Sequence, residues 1–189
     1  YGSHDHLEPT VHWAHVAAAT ERLGLVVGAS TATNDPFELA ERIATLDYLS
    51  GGRAGWHITA GSEAARNFGR DGSSPATADQ RRARSSEFVD VVRALWVSAA
   101  GGPPVRHRGA FFDVEGRLAV PPSPQGRPVL WHDGTDSPDR ILAGRTAEAV
   151  LVEPLPHDAA VARYRLIKRL AAQSGRNPDH VAVLTLVPV

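Results

Sequence analysis

Three short segments of this 189-residue chain carry residue types that could do chemistry, and in each an apolar run gives way to small polar residues. The first is Ser30, Thr31, Ala32 and Thr33. Their hydroxyls could meet a ligand, or could simply cap the turn that follows, as Ser and Thr do in many loops. The second is His57, Ile58, Thr59, Ala60 and Gly61. An unperturbed imidazole changes charge near neutral pH, so His57 could act as an acid or donate to a bound ring; the alternative is a histidine filling a polar layer by hydrogen bonding. The third segment is His132, Asp133, Gly134, Thr135, Asp136 and Ser137, between an apolar run and a helix opening on Ser137-Pro138. Such a junction aims free N–H groups and the positive end of a helix dipole at a phosphate. Asp136 would repel that phosphate unless it turns outward as an N-cap, and an ordinary strand–helix turn without a ligand is the other reading.

The elements that would position these segments alternate along the chain. Residues 9–22 are Ala-rich and helix-forming, Gly24 suits the cap after them, and 25–30 is an apolar run of strand length. Asp35, Pro36 and Glu38 read as N-cap, first-turn proline and capping-box acid of a helix striped by Leu39, Ile43, Leu46 and Leu49, which Gly51 and Gly52 stop. A strand over 53–59 follows, then a Gly/Ser/Pro-rich stretch over 69–78 that reads as a surface loop and, in an enzyme, a lid. Phe88, Val91, Val92, Leu95 and Trp96 form one apolar helix face. Gly101–Pro104 break it, and 111–120 alternates as a small hairpin within an insertion near 105–121. Strand, helix, strand, helix and strand then span 128–132, 137–146, 149–153, 158–174 and 181–187.

Short apolar strands separated by helices predict a parallel sheet with right-handed crossovers in one α/β domain over 1–189. Five such strands begin near Leu25, Arg53, Pro128, Ala149 and Val181, whereas a closed (β/α)8 barrel needs eight strands and typically about 250 residues. The expectation is a partial barrel whose exposed apolar edges need further strands or a partner. In barrels of this type the chemistry sits at the carboxyl ends of the strands, where all three segments fall.

With 42% hydrophobic residues the chain can bury a real core, and a net charge of -1 gives no basic footprint for nucleic acid or an anionic membrane. No apolar run is long enough to span a bilayer, and the first residues lack signal-peptide regions, so the expected location is cytoplasmic. Cys 0 excludes disulfides, thiolate metal sites and cysteine nucleophiles. Met 0 and an opening on Tyr1 imply either an internal piece of a longer chain or a sequence stripped of its methionines. The run His4-Asp5-His6 and, separately, the i, i+3 pair His12 and His15 could each contribute to a metal site, but no further ligands of suitable spacing stand out, so no metal is expected.

Two segments resemble one family. LSGGRAGW over 49–56 and AARNFG over 64–69 look like signatures of the bacterial luciferase-like, flavin-dependent monooxygenases, in the nitrilotriacetate and dibenzothiophene-sulfone monooxygenase branch. The resemblance implies a TIM (β/α)8 barrel of which this chain covers about strands three to seven. It implies reduced FMN supplied by a separate flavin reductase, O2, and transfer of one oxygen atom to a small organic substrate. ASTAT over 29–33 is similar to a segment placed beside the flavin ring, often with a cis peptide, so Ser30 and Thr31 join His57 and Thr59 as expected flavin-binding residues. Gly134, Thr135, Asp136 and Ser137 match a small-residue AGAS turn for the FMN phosphate. After GW the resembling branch usually carries Asn, so His57 is a departure and the expected catalytic residue. Arg66 and Asn67 are expected to orient their loop, Trp56 to wall the pocket, and Trp13 and Trp96 to lie in the core. A homodimer is expected. A deazaflavin-dependent oxidoreductase of the same superfamily and a non-catalytic flavin-binding protein are the alternatives.

Overall fold

The computed structural model describes residues 7–59, 77–134 and 140–185. Ala60, Gly61, the AARNFG segment, most of the 69–78 loop, Thr135, Asp136, Ser137 and His4, Asp5 and His6 therefore lie outside the described residues. The chain divides into two compact units, one holding the described residues before His57 and those of 77–128, the other holding His57–Thr59 and those from Val129 onward.

The first unit contains α1 (Pro9–Ala19), β1 (Leu25–Ser30), α2 (Pro36–Leu49), the first half of β2 (Ala54–Thr59), α3 (Ala78–Ala99) and a hairpin of β3 (Val105–Arg108) with β4 (Asp113–Gly116). Its helices start where side chains satisfy orphan N–H groups. Asp35 accepts from the N–H groups of Phe37 (2.8 Å) and Glu38 (3.1 Å), and Thr77 and Gln80 close a reciprocal capping box on α3. Helix α2 ends at two glycines with φ of 70° and 86°, the left-handed region where a Cβ is costly. The core is aromatic: Trp56 and Phe88 are fully buried, and Trp96 meets Trp56 edge-on at 6.2 Å. Each indole N–H has a partner, Trp56 donating to the Ala29 carbonyl and Trp96 to that of Ala40, both at 3.0 Å.

Much of the LSGGRAGW segment is thus explained by folding. Arg53 donates to five acceptors at 2.7–3.1 Å: the carbonyls of Ser50, Leu23, Ala17 and Thr20, and the Thr20 hydroxyl. A guanidinium at the end of α1 satisfies carbonyls that the helix leaves open and complements its dipole. Asp47, buried at the end of α2, accepts from the Ala54 N–H (3.0 Å) and from the side chains of Ser123 and Gln125, tying down the segment that leads to Pro128.

The hairpin lies within the expected insertion near 105–121 but starts earlier than the 111–120 stretch read as alternating. Its turn is clamped by Glu87 of α3, which accepts from His107 Nε2 (3.0 Å) and from the N–H groups of Ala110 (3.1 Å), Phe111 (3.2 Å) and Phe112 (2.9 Å). Burial opposes the charge on Glu87, but the hydrogen bonds from His107, Phe111 and Phe112 outweigh it and hold its carboxyl below the usual value.

The second unit contains the end of β2, β5 (Val129–Asp133), α4 (Arg140–Thr146), β6 (Ala149–Val152), α5 (His157–Gln173), a 3-10 turn (Pro178–His180) and β7 (Ala182–Thr185). Strands β5, β6 and β7 pair in parallel, with Trp131 beside Ala149 and Leu151 beside Leu184. The helices pack on one face through Ala143, Ala147, Val150, Ile167, Ala171 and Val181. The five expected core strands are therefore the strands observed, beginning at Leu25, Ala54, Val129, Ala149 and Ala182. Among the described residues no peptide bond is cis, including those of ASTAT.

Candidate functional site

Strand alternation sorts the candidate residues before any contact is considered, because successive side chains point to opposite faces. On β5, Leu130 and His132 are buried, while Val129, Trp131 and Asp133 lie on the opposite face and keep partial exposure. On β2, Ala54, Trp56 and Ile58 are buried, and Gly55, His57 and Thr59 share the other face.

In the second unit β2 and β5 are neighbours, and His57 meets Asp133 there. His57 Nε2 lies 2.8 Å from Asp133 Oδ1, with side chains 24% and 46% exposed. A carboxylate only accepts, so at this distance the ring nitrogen facing it carries the hydrogen. Thr59 is half-buried on the same face of β2.

His132 is different in kind. It is 3% exposed, and its Nε2 stands 2.9 Å from Thr146 Oγ1, whose own hydrogen goes to the Leu142 carbonyl at 2.7 Å. The hydroxyl must therefore accept from His132, which places a hydrogen on Nε2. Burial, helped by His57 and Arg176, pushes its pKa down to about 3. Only His57 of the two histidines faces outward with a carboxylate beside it.

Gly134 follows Asp133 with its backbone already engaged. Its N–H donates to the Leu151 carbonyl at 2.6 Å, and its own carbonyl accepts from Arg163 of α5. A Cβ on Gly134 would stand 2.4 Å from Val152 Cγ1 and 2.7 Å from Val150 Cγ1, so close packing against β6 is reason enough for glycine. Free N–H groups for an anion would have to come from the residues after Gly134, where Thr135, Asp136 and Ser137 lie outside the described residues.

In the first unit Ser30 ends β1 and Thr31 opens the turn after it. Ser30 Oγ accepts from the Ala32 N–H at 3.0 Å, and its carbonyl accepts from Asn34 Nδ2 at 2.8 Å, so the turn-capping role is present. Thr31 is 2% exposed, its hydroxyl donates to Ser85 at 3.1 Å, and its carbonyl accepts from Arg84. That guanidinium lies 4.7 Å from the Phe112 ring centre, and burial lowers its pKa. Thr31 is therefore held from behind by α3, which leaves Ser30 with the more accessible hydroxyl. Trp56 does not wall a pocket: it is fully buried against Phe88 and Trp96. Sequence reasoning named Asp133 within its segment but gave it no role, and it passed over Arg163 and Arg84.

Among the described residues no group of three or more His, Cys, Asp and Glu could hold a metal ion, and no helix is long and apolar enough to cross a membrane.

The profile of a family described as luciferase-like monooxygenase matches residues 1–189. Nitrilotriacetate monooxygenase component A of Aminobacter aminovorans is 37% identical over 202 residues, covering 97% of this chain and 44% of its own length. Dibenzothiophene-sulfone monooxygenase of Rhodococcus erythropolis is 38% identical over 200 residues, covering 96% of this chain and 44% of its own. The crystal structure of a riboflavin lyase with modified FMN and riboflavin matches with a TM-score of 0.83 and 29% identity, over 96% of this chain and 44% of that one. The chain thus spans less than half the length of these relatives, and its fold is part of a luciferase-like TIM-type barrel.

Proposed function

This chain belongs to the luciferase-like monooxygenase family, and on that premise we propose that the complete protein is a flavin-dependent monooxygenase using reduced FMN, O2 and a small organic substrate. The observation that carries the reading is the outward-facing cluster His57, Thr59 and Asp133 toward the carboxyl ends of neighbouring strands, on the face opposite the buried residues. The residues of the second unit fit FMN in chemistry: ring-edge partners come from the Thr59 hydroxyl and the His57 imidazole. Arg163 brings positive charge to the Gly134 carbonyl beside the Gly134, Thr135, Asp136 and Ser137 turn proposed for the phosphate.

Bound reduced flavin would supply two electrons, so that one atom of O2 enters the substrate and the other leaves as water. The chain's own part is to orient the ring, keep water out and offer the His57 imidazole to it. A separate flavin reductase, a homodimer and a cytoplasmic location complete the proposal. Val11 on α1, 71% exposed, is one apolar residue such a dimer would cover; sedimentation of a monomer at micromolar concentration would remove the dimer.

The activity is tested with isotopically labelled O2, FMN, a reductase system and a panel of aminopolycarboxylates and sulfones. One labelled oxygen per product supports the proposal. Oxygen drawn only from water, or turnover without O2, refutes it.

A further inference from the structure

We infer that Asp133 is a positioning residue for His57: it accepts the Nε2 hydrogen, fixes the ring, and leaves Nδ1 as the atom His57 offers to a ligand. The inference rests on reading His57 as a flavin-facing group.

The geometry is specific. The 2.8 Å contact joins the outward faces of neighbouring strands. Among the described residues no partner is recorded for His57 besides Asp133, so Nδ1 remains its unassigned nitrogen. An imidazole ring turns freely about χ2 unless one nitrogen is held, and a partly buried carboxylate holds it through a charge-assisted bond. His132, next in the chain to Asp133, cannot compete for this carboxylate, because it points to the other face and is satisfied by Thr146. Among the described residues, the charged or titratable groups around the pair include His132 on the far side of β5, Arg163 at the Gly134 carbonyl and Arg140, which lines the same small cavity as Asp133.

His57 also departs from the pattern the chain otherwise resembles. That pattern has a neutral amide there, and here a basic ring takes its place and touches a carboxylate. Together they form a unit that a ligand meets as one acceptor nitrogen of fixed direction.

A double-mutant cycle on the complete protein tests this, with reduced FMN as the probe and flavin-free thermal unfolding as the fold control. Asp133→Ala should weaken reduced-FMN binding by about tenfold in the wild-type background and by less than about twofold in His57→Asn, since the second background has no ring to position. Asp133→Leu, which has a similar volume but no acceptor, replaces Asp133→Ala in the cycle if that variant folds poorly and should give the same pattern. Equal losses in both backgrounds, or no loss in either while His57→Asn weakens binding, would overturn the inference. If the wild-type protein binds no FMN at all, the flavin reading itself fails and this inference with it.

Discussion

Replacing His132 by glutamine should make folding less sensitive to acid. In the folded chain this ring is neutral, 3% exposed, and donates to Thr146, with its pKa pushed from 6.5 to about 3. The unfolded chain therefore binds a proton that the folded chain refuses between those two values. Stability rises with pH wherever the unfolded state binds more protons, so the neutral ring's contribution is complete above 6.5 and falls away as pH drops toward 3. Each pH unit in that window costs about 1.4 kcal/mol, which gives about 2 kcal/mol lost at about pH 5. Glutamine keeps an N–H donor for Thr146 and does not titrate. Urea unfolding of both proteins at about pH 7.5 and about pH 5 should show the wild type losing about 2 kcal/mol more than the variant. Identical losses would mean that His132 is protonated in the folded state, and the buried neutral ring would be wrong.

Arg53→Lys should destabilise the protein by about 2 kcal/mol in urea unfolding, because one ammonium cannot reach five acceptors spread over Ser50, Leu23, Ala17 and Thr20; an unchanged midpoint would contradict the capping role. Gly134→Ala should lose about 1–3 kcal/mol of stability without any flavin present, since its Cβ would strike Val152 and Val150. Reduced FMN affinity in a variant at Gly134 therefore says nothing about a phosphate until its flavin-free stability has been matched to wild type.

The alternation of helices and apolar strands was legible because its punctuation is local. Asp35 capping α2 and the Gly51-Gly52 stop act within a few residues of themselves. The hairpin was legible as an insertion near 105–121 but not in its strand bounds, because its turn is gripped at Ala110, Phe111 and Phe112 by Glu87, more than twenty residues away. Trp56 was misassigned for a similar reason: which face of β2 meets Phe88 and Trp96 is a tertiary fact, although alternation from the buried Ala54 pointed to it. In the site, His57 was legible as a departure from a resembling motif, while Asp133 became informative only when folding set it 2.8 Å from His57. Thr31, promising as a hydroxyl at a strand end, is turned inward to Ser85.

The most direct test of the flavin assignment is an anaerobic titration of the complete protein with reduced FMN and, separately, with a reduced deazaflavin cofactor, followed by admission of air. The account predicts saturable binding of reduced FMN near one per chain, weaker or no binding of the deazaflavin, and oxygen consumption that tracks the bound flavin. Binding of the deazaflavin alone, or of neither cofactor, would contradict it.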